Sequence, residues 1–388
     1  MSINPKILVT SAAGKTGIPV TLQLLEQGVP VRAFVRRRDA RSERLEAAGA
    51  EVFVGNQYSL TDMRMAMTGV RRAYQCAPTA PNGLHFNTVF TTAAWEAQLE
   101  HVVTLGQWLS AVDHPSLFTR EVYLSDLLIR MNSNMTVTSV NPGWFADNYL
   151  MVLDTAAHLG LFTMPLGPGN EKKNAPPSNE DIASVVVASL IDRDTHAGKV
   201  YRPTGPELLS PDDLAAAMGR ALGRRVRYVD ISERMMTKAL RALPPSNYSE
   251  AAVSQLAIYA EEYRRGAFAV NAPTDHVEKV GGRTPEGLES IVCRTVATRP
   301  DLQSTLPRRL KAMTGFGKIL LTPSLDLNKV QSVRDYVQIQ KPLFARDTQE
   351  WLSSHDLNYI TPFSMDAAHP PDKTVDPTLK TFQSRGAK

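Results

Sequence analysis

The chain has 388 residues, of which 43% are hydrophobic and 21% charged, and its formal net charge is +4. That composition suits a globular protein of two or three domains, and so small a net charge does not call for nucleic acid or an anionic membrane as partner. No apolar run approaches the roughly 20 residues that span a bilayer, the N-terminus lacks a signal pattern, and two cysteines give neither a metal-ligand spacing nor more than a thin disulfide framework. Cys76 and Cys293 therefore read as reduced thiols of a cytoplasmic protein.

In chain order, Ile7 to Thr10 is an apolar strand. A helix pattern follows from Gly14 to Glu26, carried by Ile18, Leu22 and Leu25 and closed by Gly28. Val31 to Val35 is a second strand, and a charged helix around Arg41 to Ala48 ends at Gly49. Glu51 to Val54 is the third strand, Leu60 to Met67 a helix, and Arg72 to Ala77 the fourth strand, stopped by Pro78. Leu84 to Leu99 is helical, His101 to Leu105 extended, Leu117 to Arg130 helical and Met135 to Val140 extended. Six strands in strict alternation with helices imply an α/β fold with a doubly wound parallel sheet. Its ligand site lies beyond the carboxyl ends of the strands.

After Pro142 the pattern changes. Residues 165–177 read as a Pro- and Gly-rich loop, and Asp181 to Ile191 as a buried helix that returns to the first domain. A short strand at Lys199 to Arg202 comes next. Ser210 then caps a helix that has Pro211 in its first turn. A strand at Arg225 to Val229 and two helices, Ser232 to Leu243 and Ser249 to Arg265, complete a smaller α/β unit. The expected organisation is a dinucleotide-binding domain over 1–160, a small substrate or cap domain over 161–297, and an irregular extension over 298–388. Trp351 and Phe363 suggest some packing in that extension, and its polar end from His369 onward is expected to be disordered.

The turn after the first strand reads Thr10-Ser11-Ala12-Ala13-Gly14-Lys15-Thr16-Gly17. Small residues let the backbone approach a pyrophosphate, and the following helix aims its N–H groups and positive dipole end at that anion. Ser11 stands where the short-chain dehydrogenase pattern Gly-x-x-Gly-x-x-Gly has its first glycine. Ser11, Ala12, Gly14, Lys15, Thr16 and Gly17 are thus candidate cofactor residues of a Rossmann-type domain. Nineteen residues after Gly17, where NAD-binding domains place an acid on the ribose, stands Arg36, followed by Arg37. A basic side chain there favours a 2′-phosphate, hence NADP(H) over NAD(H), and Lys15 is a second candidate charge for it.

These stretches, with Val31 to Arg36, Asn141 to Asn148 and Tyr201 to Glu207, resemble the NmrA-like family of atypical short-chain dehydrogenases over roughly residues 5–297. The resemblance implies a Rossmann domain, a small second domain and a cleft between them. It also implies that Ala77 and Pro78 lie near the cofactor ribose and Gly106 near the nicotinamide. Some members are reductases; others bind the dinucleotide as sensors. The dehydrogenase catalytic set is missing, because Gly106 replaces the Ser and Tyr123 is followed four residues later by Leu127 in place of Lys. Tyr123 and His114 remain as candidate proton donors, and Trp108 and Trp144 as candidate platforms for a flat ligand or as core residues.

The expected function is that of an NADP(H)-preferring redox sensor or regulator. The alternative is an NADPH-dependent reductase acting on a quinone, enone or similar acceptor by direct hydride transfer. The partner is accordingly a small molecule in the interdomain cleft or a regulated protein, with no metal, and a homo-oligomer is open. Since the resemblance ends at 297, the extension is expected to be dispensable for a folded core.

Overall fold

The computed structural model describes residues 5–78, 82–242, 250–326, 329, 339–356 and 359. The first half alternates as its pattern requires: β1 (Ile7–Val9), α1 (Gly17–Glu26), β2 (Val31–Val35), α2 (Ala40–Ala47), β3 (Glu51–Val54), α3 (Leu60–Met67), β4 (Arg72–Gln75), α4 (Gly83–Glu96), β5 (His101–Leu105), α5 (Leu117–Arg130) and β6 (Thr136–Val140). Then come α6 (Ala146–Leu150), α7 (Leu153–Leu159), β7 (Leu161–Met164), α8 (Asn179–Ile191), α9 (Arg193–His196), β8 (Val200–Tyr201), α10 (Pro211–Ala221), β9 (Arg227–Asp230), α11 (Glu233–Ala242), α12 (Glu250–Arg264), α13 (His276–Lys279), α14 (Leu288–Thr298) and α15 (Leu306–Leu321). A last described helix spans Gln349–Ser354.

Seven strands form one parallel sheet in the order β3-β2-β1-β4-β5-β6-β8. β1 lies between β2 and β4, with Ile7 opposite both Val31 and Arg72. The order reverses between β1 and β4, so the switch point opens at the carboxyl ends of those two strands. Successive side chains alternate between faces. Val9, Tyr74, Val103 and Val140 pack against α1 and α8 through Val20, Leu24, Ile182 and Val186. Leu8, Ala73, Val102 and Val137 pack on the other face with Phe86 and Phe90 of α4 and Ile129 of α5. Both faces are covered, so the strands read as apolar runs in the sequence.

Two features differ from the sequence pattern. The strand at Val200–Tyr201, which the pattern places in the second unit, pairs with β6 and is the seventh strand of the main sheet. The pattern also assigns no strand to Leu161–Met164, yet β7 pairs in parallel with β9 to make a small second sheet, Phe162 opposite Tyr228. Strand partners are chosen by packing far along the chain, and two- to four-residue strands carry too little periodicity to announce themselves.

The third cluster of buried residues joins Trp108 and Trp144, from the loops after β5 and β6, to Tyr149, Phe162, Leu214, Tyr263 and Phe268. The extension, expected to be dispensable, contributes to this cluster. Leu302, Ala345 and Trp351 belong to this same cluster, and the Trp351 indole N–H donates to the Trp108 carbonyl at 3.0 Å. The Leu343 N–H reaches Asp113 O at 2.8 Å and the Ala345 N–H reaches Glu262 Oε1 at 2.6 Å. Residues 343–356 therefore stitch the β5–α5 loop to α12. Phe363 and the polar end from His369 lie outside the described residues.

Candidate functional site

At the carboxyl end of β1 the chain turns sharply and enters α1. Ser11 carries a positive φ of 47°, which is why a glycine favours this place in the wider motif. The strain is offset by a full set of bonds. The Ser11 hydroxyl donates to Cys76 O at 2.8 Å, and its N–H donates to Gln57 Oε1 at 3.2 Å. The Thr10 hydroxyl donates to Tyr74 O and accepts from the Cys76 N–H, tying the turn to the end of β4.

Two glycines then have no room for a side chain. A Cβ on Gly14 would lie 2.9 Å from Ser11 O. One on Gly17 would overlap that same oxygen and sit 2.8 Å from the Ala12 Cα. The turn is thus wound as tightly as a backbone cradle for a pyrophosphate requires. α1 has no side-chain cap, like α4, α6, α7, α13, α14 and α15 and unlike α2, α3, α5, α8 and α10, which Asp39, Ser59, Ser116, Ser178 and Ser210 cap. Within the first turn of α1 the Ile18 N–H bonds Gly14 O and Pro19 has no N–H, so among the described residues the Gly17 N–H is the donor left for another acceptor.

The remaining sequence candidates divide. Ala12 is buried and its N–H bonds Phe34 O, so it shapes the turn. Thr16 also faces inward, its hydroxyl accepting from the Tyr74 hydroxyl at 3.1 Å, beside the Cys76 thiol. Burial pushes that thiol's pKa up, which keeps it a protonated part of the floor. Lys15 does not lend its charge to the end of β2, because its Nζ pairs with Asp147 of α6 at 2.9 Å, across the mouth of the turn.

Arg36 is exposed at the end of β2 and has no hydrogen-bond or ion-pair partner among the described residues. Its neighbours are spoken for. Arg38 pairs with Glu46, Arg41 pairs with Asp39 at 2.6 Å, and Arg37 lies 3.9 Å from the same Asp39. Asp39 is the nearest acid to the end of β2, but it caps α2 through the Arg41 and Ser42 N–H groups. Its hydrogen bond from Arg41 pulls its pKa down to about 2.

Ala77 and Pro78 follow β4 and are half-buried beside the turn. Gly106 follows β5, and a Cβ there would overlap the Asn141 carboxamide, with Cγ at 3.0 Å. The space a catalytic Ser would need is filled by Asn141. Next to it, Gln107 Oε1 accepts from the Thr119 hydroxyl at 3.0 Å and from the Tyr259 hydroxyl at 2.8 Å. Sequence reasoning missed Tyr259, since α12 gives no local sign that it reaches the end of β5. It also missed Glu121, an ordinary-looking acid on α5. That carboxylate lies beside Gly83 at the start of α4, and burial pushes its pKa up to about 7 against the pull of Arg120 and the Leu84 N–H.

Both sequence candidates for proton donor are occupied elsewhere. His114 is fully buried. Its Nδ1 accepts from the Ser116 N–H at 3.0 Å, which fixes the proton on Nε2, 2.9 Å from Glu262 Oε1. Tyr123 donates to Glu350 at 2.8 Å, and its pKa is raised by burial and by that carboxylate. Trp108 and Trp144 are core residues. The Trp108 N–H donates to Ala267 O, and Trp144 stacks on Tyr149 with 6.3 Å between ring centroids. Among the described residues no group of three or more His, Cys, Asp or Glu is placed to hold a metal, and no helix is long and apolar enough to cross a membrane.

The sequence profile of the NmrA-like family matches residues 4–288. The chain belongs to the NmrA-like family. An NAD(P)H azoreductase of Xenophilus azovorans is 31% identical over 71% of this chain and 93% of the relative. Among solved structures, an NADPH-dependent quinone oxidoreductase of Escherichia coli in complex with NADPH superimposes with a TM-score of 0.64. It is 22% identical and covers 74% of this chain and 99% of its own. NmrA, a negative transcriptional regulator crystallised with NADP, superimposes with a TM-score of 0.65 at 16% identity, covering 79% and 99%. This NmrA-like chain thus spans nearly the whole of each relative and continues some hundred residues past residue 288.

Proposed function

We propose that this NmrA-like protein is an NADPH-dependent reductase that passes a hydride to a conjugated small-molecule acceptor such as a quinone, an azo compound or an enone. The observation that carries the reading is the pairing of a tight, uncapped dinucleotide turn with an unpartnered Arg36 at the end of β2. The reductase names of the azoreductase and of the quinone oxidoreductase of Escherichia coli, 25% identical over 82% of its length, support turnover over a purely regulatory role.

The residues present fit the cofactor. Gly14 and Gly17 let the turn wind tightly enough to cradle a pyrophosphate, the Gly17 N–H is a donor to it, and Arg36 receives a 2′-phosphate. When bound, the reduced nicotinamide supplies the hydride. The chain contributes position and exclusion of water more than acid–base chemistry. Asn141 replaces the Ser hydroxyl beside Gly106. The Tyr259 hydroxyl gives its proton to Gln107 Oε1 and so positions that side chain at the end of β5.

NADPH oxidation against a panel of quinones, azo dyes and enones tests this directly. The expected result is turnover with at least one class. Tyr259→Phe should lower kcat with NADPH affinity intact, and Tyr123→Phe should leave kcat within about twofold, since general-acid contributions of about a hundredfold or more belong to a residue at the site. Tight NADPH binding with no acceptor reduced would instead favour the regulator.

A further inference from the structure

Arg202 follows β8 at the carboxyl edge of the main sheet, beside the end of β6, where the Asn141 N–H donates to Tyr201 O at 2.7 Å. Its backbone is held firmly. The Arg202 N–H donates to His276 Nδ1 at 2.9 Å, and its carbonyl accepts from the Thr274 hydroxyl. Only 6% of the residue is exposed. Among the described residues its guanidinium makes a single bond, from NH2 to Ser354 Oγ at 3.3 Å, and Nε has no partner.

No carboxylate among the described residues pairs with it, and the acidic group beside it, the Tyr359 phenol, is kept neutral by burial. Other buried arginines in this molecule are treated differently: Arg32 holds Glu51 at 2.8 Å and Arg130 holds Asp126 at 2.9 Å. A second orphan lies in the same nest. His355 is buried, with Nδ1 2.9 Å from Trp351 O, and its Nε2 is unpaired. A permanently charged guanidinium taken out of water without a counter-charge costs several kcal/mol, and an unsatisfied buried donor signals a missing ion or water.

We propose that Arg202, buried beside the Gln349–Ser354 helix, forms an oxyanion site that takes a small carboxylate or phosphate group. The guanidinium supplies the donors, the Ser354 hydroxyl steadies it by accepting from Arg202 and donating to Trp351 O at 2.8 Å, and His355 Nε2 accepts from a water that the anion carries. The site belongs to residues 343–356 as much as to the sheet, so the extension adds a ligand preference that a chain ending near residue 288 would lack. It does not depend on turnover.

The test is thermal unfolding and calorimetric titration of the full chain with inorganic phosphate and with benzoate, using chloride at matched ionic strength as the control. Wild type should show a saturable rise in midpoint with either oxyanion and none with chloride. Arg202→Met should lose the response and, in oxyanion-free buffer, unfold no lower than wild type, because it removes an uncompensated charge. Arg202→Lys, which keeps the charge without the fork, should bind about tenfold more weakly, and NADPH affinity should stay unchanged in both. An acceptor carrying a carboxylate, compared with its methyl ester, separates the sources. A KM difference that disappears in Arg202→Met means the anion rides on the substrate, whereas stabilisation by phosphate with no such difference means a free effector. Equal anion responses in wild type and Arg202→Met, or a Met variant destabilised alike with and without anion, would overturn the proposal.

Discussion

Gly17 stands where α1 passes closest to the end of β1, with Ser11 O and the backbone of Ala12 against the place a Cβ would occupy. Gly17→Val should therefore push the helix away from the strand and abolish binding of either dinucleotide, while far-ultraviolet circular dichroism stays that of the folded protein. Retained submicromolar binding would place the dinucleotide site elsewhere. Glu121 gives a prediction in pH. Its folded pKa, raised to about 7 from 4.5, means that the fold favours the neutral carboxyl. The stability it contributes is full below pH 4.5 and is lost as pH rises through about 7. Glu121→Gln should thus unfold later than wild type at pH 8, by about 1–2 kcal/mol once solvent screening is allowed for, with the gap closing by pH 5. Equal gaps at both values would contradict the raised pKa. At this scale the sequence showed the two glycines and Arg36 plainly, because local motif spacing carries them. It could not show that Asn141 fills the space beside Gly106, that Lys15 turns to Asp147, or that His114 is buried against Glu262. Each of those depends on a residue distant in the chain.

Among the elements, β5 and α5 fall on the boundaries that periodicity predicts, since both are long and strongly patterned. β7 and β8 are short, and their partners are settled by packing. The extension expected to be irregular is the largest departure, since Leu306–Leu321 and Gln349–Ser354 are both helices. A lone Trp in a polar stretch gives no sign that it will be only 2% exposed and bonded to the Trp108 carbonyl. Trp351→Ala should cost about 3–5 kcal/mol, the range for deleting a large buried aromatic, measured by denaturant unfolding. Removing residues 298–388 should expose the Trp108 and Phe268 cluster and give a poorly soluble protein, where the pattern alone predicts an intact core. A truncated chain as stable as the full one would show that 343–356 is an accessory.

Taken whole, the molecule is an NmrA-like chain whose proposed dinucleotide and acceptor ends follow different logics. The dinucleotide end is written in a contiguous motif and was legible from the residues. The acceptor end is assembled from the loops after β5 and β6, from α12 and from the C-terminal extension, so no local pattern reveals it. The account turns on Arg36, exposed and unpartnered among the described residues while Arg37, Arg38 and Arg41 lie beside acids. The measurement that tests it most directly is calorimetric titration of NADPH and NADH into wild type and Arg36→Ala. The account predicts tighter binding of NADPH by wild type. In Arg36→Ala, NADPH affinity should fall about tenfold to 150-fold, the worth of one charge-assisted contact of about 1.5–3 kcal/mol, with NADH affinity nearly unchanged. Equal losses for both cofactors, or tighter binding of NADH by the unmutated protein, would contradict it.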